Sequence, residues 1–131
     1  RAEIIVAVGQ GIDPSEYANV DDLREALGGA ALGSTRKVTD VGWLPRSTQI
    51  GVTGQSVAPR LLISLASSGK FNHTVGIRNA QILMAINDDP EAEIFDQVDV
   101  GLVGTCEQLV PALTKELIER RVIAPQTRSL A

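Results

Sequence analysis

Aromatic, cysteine and histidine residues are scarce in this sequence, and each scarcity excludes a class of protein. Aromatic residues make up 3% of the 131 residues, too few for a surface on which nucleic-acid bases stack. The single cysteine, Cys106, cannot form a disulfide within the chain and suits a reducing compartment. His73 is the only histidine, and no paired cysteines accompany it, so the sequence gives no support to a zinc site.

Basic residues and long apolar runs are also lacking. The formal net charge is −4, whereas a nucleic-acid-binding surface usually carries a basic excess. No apolar run approaches the roughly 20 residues of a membrane-spanning helix, and there is no signal-peptide pattern. Neither a G-x-G-x-x-G nor a Walker pattern occurs. The first residue is Arg1 rather than methionine, so we expect a piece of a longer protein.

What remains is the composition of one globular domain, with 44% apolar and 21% charged residues. Short apolar runs rich in β-branched residues predict buried strands, and each run is followed by polar or glycine residues. The predicted strands are Ile4 to Val8, Ala30 to Gly33, a brief one at Gln49-Ile50, Arg60 to Ala66, Ile82 to Ile86 and Val100 to Val103.

Helical patterns separate several of these strands. Asp13 before Pro14 is typical of a helix start, and Gly28-Gly29 of its end. A short helix is expected near Lys70, and apolar residues at helical spacing predict a longer one from Glu107 to Arg121. Residues 40–59 read as irregular, and residues 125–131 as a flexible tail after a domain of residues 1–124.

Strands alternating with helices predict an α/β fold with a mostly parallel sheet covered by helices on both faces. In such sheets, ligands lie across the carboxyl ends of the strands. Polar and glycine residues follow several predicted strands, and we expect them to meet at this edge. They are Gln10, Thr35-Arg36, Ser67-Ser68-Gly69 and Asn87-Asp88.

The segment Ser64 to His73 has the groups of a phosphate cradle. Glycine at 69 lets backbone N–H groups approach an anion, and Lys70 adds a positive charge. The same residues would also fit a plain turn between strand and helix. Taken alone, Arg36 could be a surface ion-pair partner and Gly51 to Gly54 a hairpin turn, so both interpretations stay open at this point.

Five segments in this order resemble the FAD-binding domain of the electron transfer flavoprotein α subunit, in a divergent form. The likeness covers nearly the whole chain, from Ile4 to about Ile118. The segments are STRKVTDVGWLP, QIGVTGQSVAP, SSGKFNHTVG, AINDDPEAEIFDQVDVGLVG and LVPALTKEL.

This resemblance implies a Rossmann-like or deoxyhypusine-synthase-like domain that binds FAD, from the C-terminal part of a longer α subunit. It implies an electron carrier without a substrate of its own, paired with a β subunit in a heterodimer. Electrons would come from acyl-CoA-type or other dehydrogenases and pass to a membrane quinone reductase or another acceptor. Neither nucleic acid nor a membrane-embedded segment is expected. A bacterial cytoplasm is favoured over a mitochondrial matrix.

The resemblance also assigns roles to individual residues. It places Thr35 near the phosphates, Arg36 over the isoalloxazine ring, and Thr53 near flavin N5 within the loop Ile50, Gly51, Val52 and Thr53. The segment Ser68, Gly69, Lys70, Phe71, Asn72 and His73 would wrap the pyrophosphate and ribityl chain, with His73 near the N1–C2=O edge. Asn87 would lie on the adenosine side.

Several positions depart from the family pattern. Gln10 stands where an arginine is common, and Thr105 where an adenosine-side acid is usual. Val52 and Asn72 replace glutamines, while Lys70 replaces a small apolar residue and restores a charge. These departures keep an alternative open, in which a module of the same fold binds an AMP- or NAD-type nucleotide without flavin redox function.

Overall fold

The computed structural model describes residues 4–48, 59–66 and 80–129. These residues form a sheet of five strands, all parallel, in the order β2-β1-β3-β4-β5. The strands are β1 (Ile4–Val8), β2 (Ala31–Ser34), β3 (Leu61–Leu65), β4 (Ile82–Asn87) and β5 (Val100–Val103). The helices are α1 (Tyr17–Ala26), α2 (Arg36–Asp40) and α3 (Cys106–Ser129), with 3-10 helices at Pro14–Glu16, Arg46–Thr48 and Glu93–Asp96.

The central strands are apolar on both faces because both faces of the sheet are buried. Alternate side chains of each strand join one of two clusters. Val6, Val8 and Ile63 face the cluster that α1 and α3 cover, while Ile5 and Leu62 face the other cluster. On that second face, the described residues include the 3-10 helix Glu93–Asp96, whose Ile94 is fully buried.

Helix α1 begins and ends where its sequence predicts. The Asp13 carboxylate accepts a 2.9 Å hydrogen bond from the Ser15 backbone N–H, which caps the 3-10 turn that leads into α1. Gly28 and Gly29 follow the helix with φ of 90° and 94°, a conformation that glycine adopts without steric cost. The connection therefore turns back directly into β2.

The fold class is confirmed, since the chain forms an α/β structure on a parallel sheet. Two helices differ from what the sequence led us to expect. Helix α2 was not predicted, and it ends at Asp40, where the segment read as irregular begins. Its five residues include β-branched Val38 and Thr39, which give little helical propensity, and the complete burial of Val38 holds the helix in place.

Helix α3 continues to Ser129, whereas the prediction ended it at Arg121. That prediction followed the apolar residues at helical spacing, and it treated the residues from Pro125 as a tail. Pro125 removes one helical N–H donor without ending the helix here. The division into a domain of residues 1–124 and a flexible tail stays a prediction. Among the described residues, no helix is both long enough and apolar enough to span a membrane.

Candidate functional site

The carboxyl edge of the sheet is held in a row by backbone hydrogen bonds that continue one residue past the strands. Thr35 N–H donates to Val8 O at 3.0 Å and Gly9 N–H to Leu65 O at 2.7 Å. Ala66 N–H donates to Ile86 O at 2.8 Å, and Gly104 N–H to Asn87 O at 2.9 Å. With strands about 4.8 Å apart, the four steps from β2 to β5 span roughly 19 Å. The edge is therefore long enough for an extended ligand.

The topological switch point of this sheet lies between β1 and β3, because the chain leaves β1 toward β2 and leaves β3 toward β4. The two loops meet closely there. Gly11 N–H donates to Ala66 O at 3.3 Å, and a Cβ added to Gly11 would lie 2.8 Å from the Ala66 Cβ. Ala66 has φ of 57°, a left-handed conformation that is unusual for alanine. Such strain is found most often at functional sites.

Five of the residues expected in the site lie within the described ranges, and four of them lie along this edge. Gln10 is exposed in the turn after β1, and Thr35 follows β2. Asn87 ends β4, and Thr105 follows β5. The fold thus places these four at the edge where parallel sheets bind ligands.

Arg36 is the first residue of α2, directly after Thr35. The other expected site residues lie outside the described ranges, as do the brief strand at Gln49-Ile50, the turn of Gly51 to Gly54 and the helix start near Lys70. These site residues are Ile50, Gly51, Val52, Thr53, Ser68, Gly69, Lys70, Phe71, Asn72 and His73.

Asn87 and Thr105 both shape the loops in which they lie. The Asn87 Oδ1 accepts the Asp89 N–H at 2.8 Å, and the Asp89 carboxylate accepts the Glu91 N–H at 2.9 Å. Thr105 precedes α3, and its hydroxyl accepts the Gln108 N–H at 3.2 Å. These bonds form two consecutive Asx turns and a helix cap, so both predicted residues have a structural role.

Three buried hydroxyl groups have no hydrogen-bond partner in the described structure: Tyr17 Oη, Thr35 Oγ1 and Ser64 Oγ. Burial, and after it the charge of Asp13, raises the pKa of Tyr17. Thr35 is the only one of the three that follows a strand at the carboxyl edge. A buried hydroxyl without a partner is costly, and a ligand at this edge would give Thr35 one.

Negative charge is concentrated at the β4–β5 end of the edge. Asp88 and Asp89 are both exposed there. Burial, and then the Asp88 carboxylate, raise the pKa of the nearby Cys106 thiol to about 11, so this cysteine is protonated at neutral pH. Asp13 is exposed near the β1 end, where hydrogen bonds from the hydroxyl and the backbone N–H of Ser15 lower its pKa.

Sequence reasoning missed two contacts at this edge. One is the close approach of Gly11 to Ala66, for which the glycine was the only available signal. The other joins Ser34 at the end of β2 to Thr48, where the two hydroxyl oxygens lie 2.5 Å apart. Fourteen positions separate these residues, and neither shows a pattern that would reveal the contact.

The comparisons with known proteins identify the family. A family described as the electron transfer flavoprotein FAD-binding domain matches residues 1–78. The chain belongs to this family. FAD is the cofactor that the family's description names. This bears out the resemblance and the cofactor read from the sequence.

Curated relatives agree with the family. The chain is 36% identical to an acryloyl-CoA reductase electron transfer subunit beta of Anaerotignum propionicum, over 90% of this chain and 33% of that protein. It is 39% identical to the mitochondrial electron transfer flavoprotein subunit alpha of Dictyostelium discoideum, over 88% of this chain and 33% of that protein. It is 42% identical to the electron transfer flavoprotein subunit alpha of Bacillus subtilis, over 88% of this chain and 36% of that protein. The chain thus spans about a third of the length of these relatives.

Two solved structures are similar in fold. The Vibrio vulnificus NanR protein complexed with ManNAc-6P has a TM-score of 0.54 and 14% identity, covering 98% of this chain and 52% of that one. A hypothetical protein has a TM-score of 0.50 and 16% identity, covering 92% of this chain and 72% of that one. At these identities the likeness concerns the fold alone.

The described part of the edge fits FAD. The buried Thr35 hydroxyl lacks a partner, and the edge is long enough for an extended dinucleotide. The acidic Asp88 and Asp89 disfavour a pyrophosphate at the β4–β5 end but suit the hydroxyl groups of a ribose, which acidic side chains bind in related folds.

Proposed function

We propose that this chain is the FAD-binding part of an electron transfer flavoprotein α subunit, which carries electrons and transforms no substrate of its own. Its electron donors are dehydrogenases of the acyl-CoA type, and its acceptor is a membrane quinone reductase or a similar protein. A β subunit completes the flavin site in a heterodimer. The observation that carries the proposal is the family match over residues 1–78.

The bound FAD supplies the redox chemistry, while residues of the chain hold it and set its surroundings. Thr35 donates its hydroxyl to a phosphate oxygen, and Gln10 lies on the phosphate side. Asn87 and Thr105 flank the adenosine. The arrangement of these four along one edge supports this assignment, as does the absence of a partner for the Thr35 hydroxyl among the described residues.

The remaining contacts come from the segments that the family pattern assigns to the flavin. Arg36 holds its guanidinium over the isoalloxazine ring, and Thr53 donates to N5 within the loop of residues 50–53. Residues 68–73 wrap the pyrophosphate and the ribityl chain, and His73 lies at the N1–C2=O edge. A positive charge over the ring favours the added electron by about 1–3 kcal/mol in a partly dry site.

We also propose that the protein works in a bacterial cytoplasm, because a single cysteine suits a reducing compartment.

The cofactor is tested on the protein purified together with its β subunit. Mass spectrometry of the small molecule released by heat identifies it, and we expect one FAD per α chain. Release of AMP or NAD instead would overturn the proposal in favour of a nucleotide-binding module. Mixing with an acyl-CoA dehydrogenase and its acyl-CoA should then bleach the flavin absorbance. A flavin that several such dehydrogenases fail to reduce would overturn the assigned donor and leave the cofactor in place.

Arg36→Ala tests the assigned role of the guanidinium. Because a positive charge over the ring stabilises the reduced flavin, its loss should lower the midpoint potential of the bound FAD. Arg120→Ala is the matched control, since it removes an arginine whose side chain is 78% exposed and paired with Glu116 on α3. Equal potentials in the two variants would remove Arg36 from its assigned position.

A further inference from the structure

A side-chain hydrogen bond joins the end of β2 to the 3-10 helix Arg46–Thr48. Ser34 is fully buried, and its Oγ lies 2.5 Å from the Oγ1 of the half-buried Thr48. This is at the short end of the range for hydroxyl hydrogen bonds. Ser34 itself lies beside Val8 of β1 in the parallel register. The bond therefore fixes the 3-10 helix to the carboxyl edge of the sheet.

The direction of this bond follows from the other contact of Thr48. The Thr48 hydroxyl lies 2.7 Å from Pro45 O, which can only accept a hydrogen bond. A hydroxyl has one proton, and Thr48 uses it on this carbonyl. Ser34 is therefore the donor to Thr48, and the two hydroxyls form a chain that ends on the backbone of Pro45.

The Ser34–Thr48 hydrogen bond connects the two segments that carry the proposed contacts to the flavin ring. Ser34 immediately precedes Thr35 and Arg36, and Thr48 precedes the loop of residues 50–53 by two positions. We propose, on the basis of the proposed function, that Ser34 and Thr48 are positioning residues, which fix the start of α2 relative to the 3-10 helix Arg46–Thr48 before FAD binds.

The two ends of the bond are not equivalent. Thr48→Val removes the acceptor that the fully buried Ser34 hydroxyl has among the described residues, which is costly. Ser34→Ala leaves only the half-buried Thr48 oxygen without its donor, and water can reach a half-buried group. Thr48→Val should therefore have the larger effect, and adding Ser34→Ala to it should reduce that effect, because the buried hydroxyl without an acceptor is then removed.

The test uses the FAD-loaded protein in complex with its β subunit. If the bond holds the two segments in their binding arrangement, its loss lowers the population of that arrangement and raises the apparent dissociation constant of FAD by about fivefold. The visible circular dichroism and the midpoint potential of the bound flavin should change as well, because the ring contacts shift. Thr48→Ser keeps the hydroxyl, so its FAD dissociation constant, circular dichroism and midpoint potential should equal those of the wild type.

Thr114→Val is the matched control for the loss of a buried hydroxyl. Thr114 lies on α3, and its hydroxyl donates to Val110 O at 2.8 Å. This variant should lower the midpoint of thermal unfolding without changing the FAD dissociation constant or the flavin spectrum. Its unchanged flavin would show that lower stability alone does not produce the expected effects.

The outcomes separate this inference from the proposed function. If FAD binds to the wild type and the Ser34→Ala and Thr48→Val variants keep its affinity, spectrum and potential, the positioning role is refuted while the proposed function stands. If Thr48→Ser changes these values as much as Thr48→Val does, the Thr48 hydroxyl is not the group that matters and the inference is refuted. A wild-type complex that binds no FAD would overturn both.

Discussion

Replacing Gly11 with alanine tests the contact between the loops that follow β1 and β3. The added Cβ would lie 2.8 Å from the Ala66 Cβ and 3.2 Å from the Ala66 carbonyl oxygen. Ala66 cannot easily retreat, because its N–H is bonded to Ile86 O at 2.8 Å and its oxygen accepts the Gly11 N–H. Something at the switch point must therefore move.

The expected cost is the difference between two opposing terms. Forcing a methyl group into a packed contact costs about 1–3 kcal/mol. Replacing glycine with alanine also reduces the freedom of the unfolded chain, which stabilises the protein by about 0.4–1 kcal/mol where the conformation is compatible. Gly11 has no left-handed φ that would add strain. We expect a net loss of about 1–2 kcal/mol in the free energy of unfolding.

The Ala66→Gly variant identifies the source of this cost. It removes the Cβ that the new methyl group meets and relieves the left-handed alanine at φ of 57°. Left-handed alanine costs about 1–2 kcal/mol, whereas the extra freedom of glycine in the unfolded chain costs about 0.4–1 kcal/mol. Ala66→Gly alone should therefore range from neutral to about 1.6 kcal/mol stabilising. In the Ala66→Gly variant, Gly11→Ala should lower the free energy of unfolding by about 1 kcal/mol less than it does in the wild type.

Urea unfolding of the four proteins measures this coupling directly, and thermal unfolding gives a second estimate. For a domain of this size, about 1 kcal/mol corresponds to roughly 3–6 °C in the midpoint temperature. A Gly11→Ala variant as stable as the wild type would refute the steric argument. An equal cost in both backgrounds would show that Ala66 is not the residue it meets.

Four further predictions concern three side chains, those of Cys106, Asp13 and Thr35. Because its thiol pKa is about 11, Cys106 should react slowly with iodoacetamide at pH 8 and faster as the pH rises. Asp88→Asn should move this pH profile to lower pH. Fast alkylation at pH 8 would contradict the raised pKa. Since the folded pKa lies above the ordinary value of 9.0, the stability that this thiol contributes should be lost between pH 9 and about 11, a loss that Cys106→Ala abolishes. Asp13→Ala should lower the midpoint temperature of unfolding, because it removes the hydrogen bond from the Ser15 N–H. The difference from wild type should shrink as the pH falls below 3.8, because the pKa of Asp13 is lowered in the folded state. A pH-independent difference would exclude the Asp13 carboxylate as its cause. Thr35→Val removes a buried hydroxyl that has no partner among the described residues, so it should stabilise the FAD-free protein by about 1 kcal/mol or more and yet weaken FAD binding. Ser64→Ala should leave FAD binding unchanged. Equal FAD affinities in the wild type and Thr35→Val would contradict the role assigned to Thr35.

The sheet could be predicted from the sequence because its signals are local. Runs such as Ile4–Val8 and Val100–Val103 are too short and too rich in β-branched residues for helices, and the structure places strands at these positions. The cap at Asp13 and the glycines after α1 were read correctly for the same reason. Each of these signals lies within a few residues of the structure that it specifies.

Features that depend on distant residues could not be predicted in this way. Helix α2 is held by the burial of Val38 rather than by its own propensity. The strand order, which puts the switch point between β1 and β3, depends on how the connections cross the sheet. The Ser34–Thr48 hydrogen bond needs both the end of β2 and a 3-10 helix that no local pattern announces.

For the site, the sequence predicted the edge but not its detailed contacts. The rule that parallel strands expose their carboxyl ends to ligands was enough to group Gln10, Thr35 and Asn87. It did not indicate that the Asn87 side chain shapes an Asx turn or that Thr105 caps α3. The assignment of FAD came from the order of five motifs, which no single residue could have supplied.

Hydrogen exchange of backbone amides with and without FAD tests most directly whether the flavin lies along the carboxyl edge. The measurement uses the complex with the β subunit, in its FAD-free and FAD-loaded forms. We predict slower exchange in the segments that follow the strands and unchanged exchange at the opposite edge, in residues 59–61, 81–82 and 99–100. The protected segments should be residues 10–13, 35–36, 88–89 and 104–106. Protection at the opposite edge, with none in these segments, would contradict the account.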